Sequence, residues 1–239
     1  MYETLRYSEA GDVGTLELIR PRINVRQIRE LEKLCDHLED QSTVQLLLLR
    51  GHSEGIDFGD FDPKEALDIH GFNKWEKLVH RFESLEKLTM AALDGPCHGG
   101  GLQLALAFDV RICSPDATFA LPEIKLGFLP GMSTWRLGKF IGLGRARRLA
   151  LTGERLAAAE AERLGLVDQV AENLDQSVAH WLQLLRPYQP VAAALSRRLM
   201  LEAYETPFED AIGNFLAAQH RAISQSAFLE TLKKERKPS

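Results

Sequence analysis

The sequence predicts an α/β fold, and three observations carry that prediction. Residues 44–49 are a mostly apolar run interrupted only by Gln45, the composition of a strand buried on both faces. Residues 25–39 place Ile28, Leu31, Leu34, Cys35 and Leu38 at helical spacing between that run and an earlier β-prone one, the order of a crossover unit. Residues 89–136 pass from an apolar run through Asp94-Gly95-Pro96 and three glycines, Gly99 to Gly101, into the helix-forming run 102–108.

The chain opens with two β-prone runs, 2–9 and 13–19, joined across Ala10-Gly11-Asp12 as a hairpin. Arg20-Pro21-Arg22 ends it, and the helix 25–39 and buried strand 44–49 follow. Residues 51–63 (GHSEGIDFGDFDP) are glycine- and acid-rich, a loop at a strand end, where α/β folds place ligands. Residues 65–88 are mostly helical, with Trp75, Leu78, Val79, Phe82 and Leu85 as one apolar stripe. Short strands at 110–113 and 118–120 flank a Pro115-Asp116 turn, and helices at 135–141 and 145–151 are broken by Gly142 and Gly144. After Thr152 the composition shifts. A helix at 157–164 and a short strand at 166–170 precede helices at 177–186, 191–204, 208–224 and 227–237. The expected organisation is a core, residues 1–175, that holds the site, and a helical region, 176–239. The apolar faces of that region suit packing against another subunit.

At 239 residues the chain can bury a sizeable core, and 45% apolar with 26% charged residues is an ordinary globular balance. A net charge of −5 offers no basic field for nucleic acid, and no apolar run is long enough to span a membrane. Cys35, Cys97 and Cys113 lack metal-type spacing and fit reduced thiols in a cytoplasmic protein better than disulfides. Asp57, Asp60 and Asp62 lack the glycine and distal glutamate of a calcium loop, so no metal is expected.

Two features of residues 89–136 define a candidate site. The first is the backbone at Gly100. A helix start carries unpaired N–H groups and the positive dipole end, and a glycine there admits a ligand oxygen close to the chain. Such preorganised donors are worth about 3 kcal/mol each to a developing oxyanion. The competing reading is a close-packed turn. A second donor is sought on the 51–63 loop, at an amide beside Gly59 in Phe58-Gly59-Asp60-Phe61. The second feature is Glu123, between Pro122 and Ile124 and near Leu121 and Leu126. Desolvation in apolar company raises a carboxyl pKa towards the range useful for proton transfer near neutrality; the alternative is an exposed turn cap. Gln103, one helical turn beyond Gly100, can hold a water or a substrate oxygen but cannot act as a base. His98 precedes the glycines, where a histidine is more often structural. Trp135, after Gly131-Met132-Ser133-Thr134, is a candidate pocket wall, although an aromatic at that spacing is more often core.

The run DGPCHGGGLQLALAFDVRICSPDATFALPEIKLGFLPG, residues 94–131, with Arg136-Leu137 beyond it, resembles the enoyl-CoA hydratase/isomerase (crotonase) family. Weaker echoes are Arg20-Pro21 with Asn24, the Phe58-Gly59 loop, LTGERLAAAEAERLGLVDQV at 151–170 and FLETLKKERKP at 228–238. The resemblance implies a spiral of ββα units followed by a helical trimerisation region, with homotrimers often paired as hexamers. It implies an acyl-CoA or acyl-carrier-protein thioester as partner, with coenzyme A as part of the substrate and no separate cofactor. The thioester oxygen would lie between two backbone N–H groups, one mapping onto Gly100. Aligning Gly59 with the glycine of the family's Ala-Gly-x-Asp-Leu puts the other on Phe58, with Asp60 beside it; Phe61 then stands where the family has aspartate. Asn24 falls in a shortened segment that helps hold the nucleotide. Gly59, Asp60, His98, Gly99, Pro122, Gly131 and Trp135 complete the expected substrate contacts.

The family's hydratases use two glutamates. The second maps onto Glu123, whereas the first position holds Gln103. One carboxylate suits a proton shuttle, so the resemblance favours double-bond isomerisation or dehydration over hydration by Gln103-oriented water. Decarboxylation and non-catalytic thioester binding are the rival readings. On this view a Gln103→Glu variant gains hydration of a 2-enoyl thioester.

Overall fold

Alternation along the central strands decides the architecture. In β3 (Leu46–Arg50), Leu46 and Leu48 face one apolar cluster while Leu47 and Leu49 face another, and all four are buried. A strand apolar on both sides needs cover on both sides. The computed structural model describes residues 2–19, 22–51, 54–56, 69–186 and 188–235. Before β3 come β1 (Leu5–Ala10), β2 (Val13–Leu18) and helix α1 (Val25–Asp40). After it come α2 (Ile69–Ser84), β4 (Leu88–Leu93), β5 (Pro96–His98), α3 (Gly100–Ala105), β6 (Val110–Cys113) and β7 (Thr118–Ala120). A 3-10 helix, Pro122–Leu126, leads to α4 (Ser133–Ile141) and α5 (Leu143–Thr152). Then follow β8 (Leu156–Ala157), α6 (Ala158–Leu164), β9 (Gln169–Val170) and α7 (Leu174–Leu185). The chain closes with α8 (Pro190–Glu202), α9 (Phe208–Ile223) and α10 (Ser226–Glu235).

The larger sheet has the order β1-β2-β3-β4-β6-β9, antiparallel only at the β1–β2 hairpin and parallel elsewhere. On one face, α1 contributes Leu31, Leu34, Cys35 and Leu38, and α2 contributes Leu78, Val79 and Phe82. The other face, with Leu46, Leu48, Met90, Ala92 and Ile112, packs against Val178 of α7. A smaller sheet, β5-β7-β8, stands beside it.

The predicted elements recur with small shifts. The buried strand starts two residues later than its apolar run, at Leu46, and the 65–88 helix is Ile69–Ser84, with Leu88 already in β4. Residues 65–68 lie outside the described residues. Gly142, at φ 79°, does break α4 from α5, but Gly144 lies inside α5 and breaks nothing. Among the described residues, helices α8 to α10 are the least buried. Met200, Phe208, Phe215, Leu216 and Leu229 are exposed there, with Leu195 and Ala218 buried.

Candidate active site

Parallel pairing of two short strands assembles the site. β5 and β7 pair with Pro96 opposite Thr118 and His98 opposite Ala120, so the chain leaves both at the same end. From β5 it enters Gly99-Gly100, and from β7 it enters Leu121-Pro122-Glu123. The Gly99 N–H donates to the Ala120 carbonyl at 2.9 Å and fixes the two exits against each other. A third segment joins them, because Ile56 bridges Cys97 in parallel, its N–H donating to Pro96 O at 2.7 Å. Its carbonyl accepts from the His98 N–H at 2.9 Å.

The three glycines do three different things. Gly99 takes φ 51°, ψ −120°, a conformation a side chain would strain. Gly101 packs so closely that a Cβ would collide with the Ile56 carbonyl oxygen. Gly100 is the least constrained: a Cβ there would lie 3.5 Å from Trp75 and 3.6 Å from Ile23, ordinary contacts. Backbone conformation therefore demands glycine at 99, and packing demands it at 101. Among the described residues the Gly100 N–H, first in α3, meets no acceptor.

Glu123 is buried, 4% exposed, at the second position of the 3-10 helix begun by Pro122. Of its apolar sequence neighbours, Leu121 is buried with it, but those that follow are not. Ile124 and Leu126 are 37% and 58% exposed, so the short helix turns its carboxylate inward and those apolar side chains out. Gly127, at φ 85°, ends the helix and donates to the Glu123 and Ile124 carbonyls.

Opposite these backbone exits stands α2. Gln103, 3% exposed, accepts at Oε1 from the Trp75 indole N–H at 2.6 Å. Its Nε2 donates to both oxygens of Glu76, at 2.8 and 2.6 Å. Glu76 also accepts from the Met132 N–H at 3.0 Å and lies 3.6 Å from Arg136 Nη1. Arg136 is itself buried and bonds Glu83. Gly131, at φ 48°, passes so near that a Cβ would collide with Glu76. Ile69, Phe72, Glu76, Met132, Trp135 and Arg136 line a groove of about 970 Å³.

The remaining candidates have local work. Asn24 caps α1, its Oδ1 accepting from the Gln27 N–H at 2.9 Å. His98 is buried in β5 with Nε2 3.0 Å from the Thr118 hydroxyl. Trp135 is half-buried under Lys139 Nζ, 3.0 Å above its ring, and its indole N–H donates to Glu205 at 3.1 Å. Phe58, Gly59 and Asp60 lie outside the described residues. Burial pushes the Cys35 and Cys113 thiols up to about 12, so neither is a nucleophile near neutrality. No helix among the described residues is long and apolar enough to cross a membrane.

The enoyl-CoA hydratase/isomerase family model matches residues 9–237. An enoyl-CoA hydratase of Amycolatopsis orientalis is 33% identical over 212 residues, covering 89% of this chain and 95% of that protein. The chain belongs to the enoyl-CoA hydratase/isomerase family. A dienoyl-CoA isomerase of Dictyostelium discoideum is 30% identical, over 73% of this chain and 67% of its own length. The crystal structure of an enoyl-CoA hydratase from Thermoplasma volcanium superposes with a TM-score of 0.89 at 26% identity, covering 98% of each chain. The spiral α/β fold expected of a crotonase-family chain is thus the observed one. Sequence reasoning missed Glu76 and the polar role of Trp75. Both sit on a helix whose apolar stripe reads as plain core, and no local spacing announces that Gln103 lies across from them.

Proposed function

We propose that this enzyme acts on acyl-coenzyme A or acyl-carrier thioesters, holding an enolate oxygen at the Gly100 N–H and moving a proton with Glu123. The observation that carries this reading is the β5–β7 pairing, which sends a helix-start N–H and a buried carboxylate out at the same edge. A donor of this kind is worth most to a charge that appears in the transition state and least to the neutral ground state. The family motif assigns a second donor to Phe58, which lies outside the described residues. Glu123 then removes a proton beside the thioester carbonyl and returns it elsewhere, which gives double-bond isomerisation or dehydration of a 3-hydroxyacyl thioester. Named relatives include both hydratases and an isomerase, in keeping with one enolate site serving several outcomes.

The exposed apolar residues of α8 to α10 support assembly through those helices, as a homotrimer or hexamer. The decisive test is Glu123→Gln, assayed by deuterium exchange beside the carbonyl of a saturated acyl-CoA and by turnover of a 3-enoyl-CoA. Both rates are expected to fall by about 10³-fold, the middle of the range for removing a general acid–base. Unchanged rates would remove Glu123 from the mechanism.

A further inference from the structure

The network around Gln103 contains a carboxylate that the single-glutamate mechanism leaves without a task. An indole N–H can only donate and a carboxylate can only accept. The carboxamide of Gln103 is therefore held one way round, carbonyl to Trp75 and NH₂ to Glu76. With Gln103 3% exposed and committed on both sides, it is poorly placed to hold a reacting water. Glu76 differs: 21% of its side chain remains accessible, and it lines the groove that Ile69, Phe72, Met132 and Trp135 make apolar.

The residue type at position 103 follows from this contact. A glutamate there would set a second carboxylate against Glu76, at the 2.6–2.8 Å now spanned by hydrogen bonds. Two like charges at that range cannot both ionise. An amide of the same shape turns the clash into a bond. One carboxylate is thus kept beside the first turn of α3, but its carrier is α2. Three further contacts fix it there: the Met132 N–H, the Arg136 guanidinium and the close passage of Gly131.

We propose that Glu76 is the second acid–base group of this site, so that the reaction is addition or removal of water at the double bond beside the thioester. This rests on the thioester reading above and deepens it. In the hydration direction, water oxygen bonds to C3 while one of its protons passes to the Glu76 carboxylate. The C2=C3 π pair becomes the C1=C2 bond of the enolate, and the carbonyl π pair moves onto the thioester oxygen at the Gly100 N–H. The enolate then collapses, and C2 takes a proton from the Glu123 carboxyl. Solvent returns the proton from Glu76 to Glu123, so one water is consumed and both carboxyls are restored. Gln103 is a positioning residue in this scheme.

The test uses the full-length protein with two probes: but-2-enoyl-CoA for hydration, and butanoyl-CoA in heavy water for exchange beside the carbonyl. Wild type is expected to do both. Glu76→Gln is expected to lose at least about 10²-fold in kcat for hydration with KM little changed, while exchange falls by less than about tenfold. The double variant Glu76→Gln/Gln103→Glu moves the carboxylate onto α3 and is expected to recover hydration to within about tenfold of wild type, whether or not the single variant is well folded. Glu76 loses its role if the single variant hydrates like wild type, if both rates fall together in a protein of unchanged melting temperature, or if the double variant recovers nothing. A wild-type protein that exchanges but does not hydrate overturns only the Glu76 proposal. One that does neither overturns the thioester reading as well.

Discussion

Between His98 and Glu123 the site is made by backbone pairing within one stretch of chain. Between Trp75 and Met132 it is made by side chains and one amide that meet across 27 to 56 residues of sequence. The two walls respond differently to change. The backbone wall depends on shape, because its N–H groups are the same whatever the side chain, and it fails when an atom is added. The α2 wall depends on which partner donates and which accepts, and it can be rewired without moving the chain.

Adding one methyl to the backbone wall is the largest expected effect. At Gly101 a Cβ meets the Ile56 carbonyl, part of the pairing that holds residues 54–56 to β5, and that backbone cannot swing aside as a side-chain tip would. Alanine is preferred over glycine in a helix by about 1 kcal/mol. Overpacking costs typically 1–3 kcal/mol and sometimes more, so the clash wins. Gly101→Ala should lose about 3 kcal/mol in urea unfolding. Gly100→Ala, with its Cβ 3.5 Å from Trp75, is the matched control and should keep its stability. Equal stabilities would mean that the crowding at Gly101 relaxes freely.

The same contrast explains what the sequence reveals. The hairpin, α1 and the strands β6 and β7 lie within a few residues of their predicted places because alternation and helical spacing are local signals. Gly100 and Glu123 are legible for a similar reason: a motif fixes each one's spacing from a strand end. Glu76 is not. On α2 it stands beside Lys74 and Lys77 as one more charge next to an apolar stripe, and only the fold brings Gln103 to it. Glu123 is buried as its apolar company suggests, but only part of that company is buried with it: Leu121 is, whereas Ile124 and Leu126 turn outward. Asn24 and His98 have local partners, a helix cap and a cross-strand hydroxyl, that a sequence pattern does not rank against ligand binding.

Gln103→Glu alone sharpens the comparison on the side-chain wall. The resemblance to hydratases by itself predicts a gain in hydration, whereas the contact with Glu76 predicts that the single variant is destabilised instead. Two carboxylates at this range share a proton, and the pair's upper pKa rises above its unfolded value. A raised folded-state pKa contributes stability that is present below the unfolded pKa and lost as pH rises through the folded one. The variant should therefore lose roughly 2 kcal/mol above neutrality and recover on acidification towards the ordinary carboxylate range. Thermal melts across that window, wild type beside variant, provide the check. A deficit that does not change with pH would mean that the two carboxyls do not meet.

Trp75→Phe is the mildest probe and isolates one hydrogen bond. It removes the indole N–H that holds Gln103 Oε1 at 2.6 Å, while an aromatic ring remains against Gly100 and the α2 core. The exposed consequence is a buried carbonyl without its donor, which costs about 1–2 kcal/mol. The Glu76 contact on the other end of the amide is untouched, so the carboxylate keeps its place. Stability should fall by that amount, and hydration should fall by less than about tenfold, far short of the loss in Glu76→Gln. A hydration loss as large as that of Glu76→Gln would show that Gln103, through its orientation, carries the chemistry that we place on Glu76.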